Sequence, residues 1–334
     1  MTVEDAMNLR LALYELAATH RLDAAALARL EHLAGLRGEP AGIARRLPGG
    51  AAVLGAALGG LGLIFWIAAN WETLGRFGRF ALLQGLVLVM CLGAFRGPAA
   101  RAPLGLLALL GIGGLFAYFG QTYQTGADPW QLFALWAVLA LPLCLAVHSD
   151  VVWAPWALVA MTGISLWVQA HTGHRWRVEP DDLRAHAIGG LAALALTVAL
   201  GAPWRRHTGA GVWAQRTAMT LAVVMVTTAA LGGLFHQPVA PHYWMGLVLL
   251  VAMGVLLAQP RSFEVFGLSA AALGLNTLLV AGVAKLLFEG AHNDALIGSL
   301  LVIGLVAAGL LAATVSGVMR LARRQESAQA EQVA

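Results

Sequence analysis

An all-α polytopic transmembrane bundle is the fold class this sequence predicts, on three observations. Ten mostly apolar stretches of about 16 to 24 residues follow one another from Gly49 to Val318, each near the roughly 20 residues a helix needs to cross a hydrocarbon core. Hydrophobic residues make up 59% of the 334 residues and charged residues only 11%, whereas soluble domains carry about 25% charge. Arginines and interfacial aromatics gather where the apolar stretches end, as membrane boundaries require. The mean hydropathy of +0.75 agrees. A pI near 9.6 would suggest nucleic acid in a soluble protein, but basic residues at helix ends fix orientation instead, and no nucleic-acid partner is expected.

Residues 1–47 read as a short cytosolic helical head of two or three helices. Ala6, Leu9, Leu13 and Leu16 form one stripe; Leu27, Leu30 and Ala34 form another after Asp23, which is placed as an N-cap. Gly38 and Pro40 then punctuate the chain. Two stripes this short cannot build a sizeable core, so the head is expected to dock on itself, the bundle or a protein partner. Its six acids and six arginines lack the basic-then-apolar order of a cleaved signal peptide, leaving the first span to direct insertion.

The bundle occupies 48–319, with spans predicted at 49–69, 80–95, 103–119, 131–147, 151–169, 186–204, 217–234, 243–258, 265–287 and 295–318; the second is short for a full crossing. Residues 320–334 read as a polar cytosolic tail. With the N-terminus inside, eleven flanking arginines fall on the inner side (Arg45, Arg46, Arg96, Arg101, Arg205, Arg206, Arg216, Arg261, Arg320, Arg323, Arg324) against five outside (Arg76, Arg79, Arg175, Arg177, Arg184). This bias predicts both termini in the cytosol. Trp71, Tyr123, Trp130, Trp204, Tyr243 and Trp244 mark predicted interfaces, while Trp66, Trp136 and Trp156 lie within spans as packing residues. Pro142 and Pro155 should kink or break their helices. Cys91 and Cys144, both within apolar segments, read as small core residues without a disulfide.

Two turns look alike. Gly60-x-Gly62-x-x-Phe65 leads to Asn70-Trp71, and Gly111-x-Gly113-x-x-Phe116 leads to Gln121-Thr-Tyr123, each followed by an acid, Glu72 or Asp128. The segment Gly60 to Trp71, with Phe119-Gly-Gln-Thr-Tyr-Gln124 and Trp130-Gln-Leu-Phe-Ala-Leu-Trp136, resembles the uncharacterised bacterial membrane family catalogued as domain of unknown function 2157. The likeness is most specific over residues 50–147 and extends to the family's helical head. It implies a bacterial inner-membrane protein; no activity, and no catalytic or binding residue, comes with it.

The strongest candidate site joins the two turns at the outer face: Asn70, Trp71, Glu72, Gln121, Tyr123, Gln124, Asp128, Trp130 and Gln131. Amides and aromatics there can bind a neutral polar ligand or a lipid headgroup without desolvating a charge. The same side chains can equally cap helix ends and anchor the bundle. His171, His174, His186, His236, His242 and His292 also fall on or near the outer side, but metal binding needs three or four converging ligands and none is assigned. Within the spans, Asn276, Gln84, Thr162, Thr227 and Thr228 are the polar candidates, Asn276 foremost, more simply joining helices than touching a substrate. Lys285, the chain's only lysine, is expected to snorkel or to pair with Glu289 at i+4. Gly55, Gly59 and Gly62 share one face of the first span and predict a close helix contact, within the chain or in a homo-oligomer.

All 17 acids fall in the head, tail or loops, which disfavours the intramembrane carboxylates of ion-coupled transport. No acid/base pair stands at a catalytic spacing, so no enzyme and no cofactor is expected. The reading is a noncatalytic membrane component binding a partner or small ligand. Its partners would be membrane lipid and a protein reached through the head or outer loops. The alternative is a transporter or flippase for a neutral or lipid-like solute.

Overall fold

The structure, a computed structural model, describes residues 3–34, 41–70, 75–123, 126–172, 177–289 and 296–333. They form helices joined by turns, with no strand among them. The chain divides into two compact units, Met1–Gly55 and Ala56–Ala334.

In the first unit, α1 (Val3–Thr19) and α2 (Ala24–Leu33) form a hairpin. Asp23 caps α2 as its position predicts: its side chain accepts the Ala26 N–H at 2.7 Å. Tyr14 donates to Glu31 across the hairpin at 3.4 Å. Ala17 is buried, but Leu9 and Leu16 of the predicted stripe remain exposed. α3 (Ala41–Ala69) continues from this unit into the next, with Pro48 inside it.

The second unit continues with α4 (Gly75–Ala94), α5 (Pro98–Tyr123), α6 (Pro129–Val147), α7 (Asp150–His171), α8 (Leu183–Ala199), α9 (Arg205–Thr208), α10 (Val212–Leu234), α11 (Pro241–Ala258), α12 (Val265–Glu289) and α13 (Leu296–Val333). Among the described residues nine helices are long and apolar enough to cross a membrane, and a shorter apolar stretch, Leu47–Leu63 of α3, coincides with the first predicted span. The second predicted span belongs to a helix of 20 residues, so it is not short. The sixth ends at Ala199, five residues before its predicted limit, because Gly201 and Pro203 introduce a 3-10 turn at Ala202–Trp204. α6 and α7 run on through Pro142 and Pro155. The predicted tail is a helical continuation of the last span, within α13.

α10 is the hub. Half of its span window is buried, against 0% for α13, and it packs on α7, α8, α11 and α12. Ala214, Ala218 and Ala222 enter one apolar cluster with Trp153, Trp156 and Leu109, while Met219, Val223 and Ala230 enter a second with Tyr243, Leu250 and Leu278. Small residues let these helices approach: a Cβ on Gly113 would stand 2.3 Å from the Trp136 ring, and one on Gly246 would stand 2.4 Å from Ala230. Indole N–H groups join helices through backbone carbonyls, Trp136 to Leu109 at 3.0 Å and Trp156 to Ala137 at 2.8 Å. Trp66, by contrast, is exposed.

Three polar ties hold distant segments. Asp150 Oδ1 accepts the N–H groups of Gly211 at 3.1 Å and Ala214 at 2.9 Å, and Oδ2 accepts that of Trp213 at 2.7 Å, so a carboxylate on α7 caps the start of α10. At the other end of α10, Lys285 Nζ donates to the carbonyls of Leu234 at 2.6 Å and His236 at 2.8 Å, with Glu289 at 3.4 Å. Asn276 on α12 donates to Thr314 Oγ1 on α13 at 3.0 Å.

Within the second unit Gly59 and Gly62 are exposed, and among the described residues a Cβ on either would meet nothing within 4 Å; the same holds for Gly55 at the end of the first unit. Contact with α5 falls one residue round the helix, at Gly60, where a Cβ would lie 2.8 Å from Leu107.

Candidate functional site

Of the outer-turn residues singled out in the sequence, Trp71, Glu72 and Gln124 lie outside the described residues. Asn70 closes α3, its side-chain amide donating to the Trp66 carbonyl at 3.0 Å. Gln121 and Tyr123 occupy the last turn of α5 and are exposed; the Tyr123 ring lies 4.8 Å from Phe119 and 6.0 Å from Phe80. Asp128 is the N-cap residue of α6, without a side-chain cap bond, and the Gln131 N–H returns to its carbonyl at 3.0 Å. Trp130 packs 6.0 Å from the His171 ring, and its buried indole Nε1 has no hydrogen-bond partner among the described residues. The α5 and α6 residues thus flank one turn, with aromatic neighbours on each side.

Histidines at this end are distributed. His174 and His292 lie outside the described residues. His171 stacks on Trp167 at 4.2 Å and its Nδ1 meets the Trp167 carbonyl at 2.8 Å. His236 Nε2 contacts the Val178 carbonyl. His186 Nδ1 meets the Asp182 carbonyl at 3.1 Å, and its ring stands edge-on, 4.9 Å away, to the fully buried His242. Among the described residues no three His, Cys, Asp or Glu side chains are grouped to hold a metal ion.

A more developed site lies between α7, α8 and α10. It is a groove of about 520 Å³ that starts at Met161 and Leu221, near mid-span, and reaches Thr172, Arg177 and His186 at the α7–α8 connection. Thr162, Ser165, Gln169 and Thr172 follow one another at three- and four-residue steps, which sets them on one face of α7. Opposite them α10 presents Leu221, Val224, Met225 and Thr228. The hydroxyl protons are spent locally: Thr162 donates to Leu158 O at 2.8 Å, Thr228 to Val224 O at 2.8 Å and Thr172 to Gln169 O at 3.2 Å. Ser165 donates to the Met225 sulfur at 3.5 Å, a weak acceptor that a ligand oxygen would readily replace. The groove therefore offers hydroxyl lone pairs along its length, an amide at Gln169, and Arg177 with His186 at its mouth, beside an apolar wall.

Sequence reasoning found Thr162 and Thr228 and missed Ser165, Gln169 and Thr172. The available signal was the polar stripe at helical period through α7, hidden in a segment that reads by composition as one apolar run.

Long apolar helices packed by small residues, with polar groups at helix ends, in a lateral groove and in the Asn276–Thr314 contact between α12 and α13, define an all-α polytopic membrane protein. Residues 14–153 match the family described as Predicted membrane protein (DUF2157), the family whose likeness the glycine, amide and aromatic motifs carry. The matched segment runs from α1 into the first turn of α7, so every residue that lines the groove lies beyond it. Comparison with curated proteins and with solved structures finds no match.

Proposed function

We propose that this protein is a noncatalytic component of the bacterial inner membrane that binds a small uncharged amphiphile in the α7–α8–α10 groove, from the outer side. The observation that carries this reading is the pairing of a hydroxyl and amide stripe on α7 with an apolar wall on α10. Such a surface suits a ligand with hydroxyl or amide groups on an apolar body. A charged ligand would meet no opposite charge in the groove body and would lose its hydration there. Arginine bias places the mouth outside and both termini in the cytosol. The transport alternative draws less support, because the Asn276 Nδ2 donates to Thr314 between α12 and α13, as a residue joining two helices does, although its Oδ1 is left without a partner among the described residues.

Ser165→Phe fills the groove at its midpoint. Native mass spectrometry of the full chain in neutral detergent, with a monoacylglycerol as probe, is expected to show saturable binding that this variant reduces at least about tenfold, equivalent to about 1.4 kcal/mol. Circular dichroism should remain that of the parent. Equal binding by both proteins would remove the groove from consideration.

A further inference from the structure

A second site lies at the opposite end of α10. Arg205, Gln215, Arg216, Ser262 and Glu264 line a pocket of about 250 Å³, roomy against the roughly 30 Å³ share of one water. Its charge is unbalanced. Arg216 Nε and its terminal nitrogen both donate to Glu264 Oε1, at 3.1 and 2.9 Å, and its guanidinium lies 5.4 Å from the Trp213 ring centroid and 5.2 Å from that of Phe266. Glu264 Oε2 is itself engaged by the Gly267 N–H at 2.5 Å. Among the described residues Arg205 has no acidic partner: its terminal nitrogen donates to the buried Gln215 amide oxygen at 2.6 Å, and its buried Nε–H meets no acceptor there. The Arg205 guanidinium, held by Gln215 and not neutralised, brings positive charge and donor capacity suited to an anion.

An apolar pocket of about 320 Å³ adjoins it, with Gln215 and Ser262 common to both. Leu194, Met219, Met253 and Leu257 line it, from α8, α10 and α11 on the membrane side of the arginines, and Arg261 stands at its edge. The Ser262 hydroxyl donates to the Leu256 carbonyl, which folds the α11–α12 turn over this boundary.

We infer that these two pockets together bind one anionic phospholipid, its phosphate on Arg205 and an acyl chain against Leu194, Met219 and Met253. A free anion would account for the arginine pocket but not for the apolar one beside it. A basic pocket between helix ends, backed by an acyl-sized cleft, is how membrane helices hold anionic headgroups. Arg206 is exposed and lines neither pocket, so it serves as a charge-matched control.

The test is native mass spectrometry of the delipidated full chain in neutral detergent, titrated with phosphatidylglycerol, phosphatidylcholine and inorganic phosphate. One phosphatidylglycerol is expected to bind at least about tenfold more tightly than phosphatidylcholine; Arg205→Gln should abolish that preference and Arg206→Gln should keep it. Inorganic phosphate at the same concentration should displace none of the lipid. Leu256→Trp, which crowds the apolar pocket, carries the same expectation as Arg205→Gln and serves if the latter fails to fold. Equal binding of the two lipids, an unchanged preference in both pocket variants, or displacement by inorganic phosphate would each overturn the assignment.

Discussion

Asp150→Ala is expected to lower the stability of the bundle by about 3 kcal/mol, since the loss of one cap costs about 0.5–2 kcal/mol and two of the N–H groups it holds are part-buried, where a donor left unpaired adds about 1 kcal/mol. Three N–H groups at the start of α10 depend on this carboxylate, and α10 is the helix on which α7, α8, α11 and α12 converge. The local backbone is built around it. A Cβ on Gly211 would lie 2.4 Å from the Asp150 carboxyl carbon, and one on Gly209, whose φ is +68°, would lie 2.5 Å from the His148 ring. Asp150→Asn keeps one good acceptor and should lose about half as much. The measurement is the unfolding midpoint in mixed detergent micelles, and a midpoint within error of the parent for Asp150→Ala would refute the capping role.

Lys285→Met should cost about 2–3 kcal/mol by the same measurement, because hydrogen bonds to a charged donor contribute about 1.5–3 kcal/mol and here two carbonyls lose theirs together. Lys285 is 9% exposed in its side chain whereas Glu289 is 46% exposed. The two ends of this ion pair are therefore unequal. Glu289→Gln removes a contact that water replaces and should cost under about 1 kcal/mol. Equal losses from the two variants would mean that the ion pair, rather than the cap on α10, is what Lys285 supplies.

These two residues also show where the sequence stops being legible. The spans could be read because hydropathy over some twenty residues is a local property, and the Asp23 cap could be read because its partner is three residues away. The likeness was visible over residues 50–147, in contiguous motifs, for the same reason, and the matched segment, 14–153, contains that stretch. Asp150 reaches backbone 61 to 64 residues downstream, and Lys285 reaches back 49 and 51 residues. Nothing local distinguishes such residues from solvated loop charges. Lys285 was expected to snorkel or to pair with Glu289; the pair forms, but the two carbonyls it also holds, at the end of α10 and in the turn after it, belong to a segment that only the fold brings near. The glycines of α3 illustrate a finer limit. Their period predicted a contact face, yet a contact in the chain falls on Gly60, because which of two small-residue faces meets a neighbour depends on how the helix is rotated. The groove was missed for a related reason: Ser165, Gln169 and Thr172 are dilute in an apolar segment and become a surface only when α10 is laid against them.

In the proposed arrangement the helices cross lipid with the groove mouth outside and the arginine pocket inside. Single-cysteine accessibility in intact cells tests both statements together, after Cys91 and Cys144 have been replaced by alanine. A cysteine at Arg177 should react with a membrane-impermeant maleimide in intact cells, a cysteine at Arg261 only after permeabilisation, and a cysteine at Met161 slowly in either condition. Labelling at Arg261 but not at Arg177 in intact cells would contradict the orientation, and immediate labelling at all three positions would contradict the membrane bundle itself.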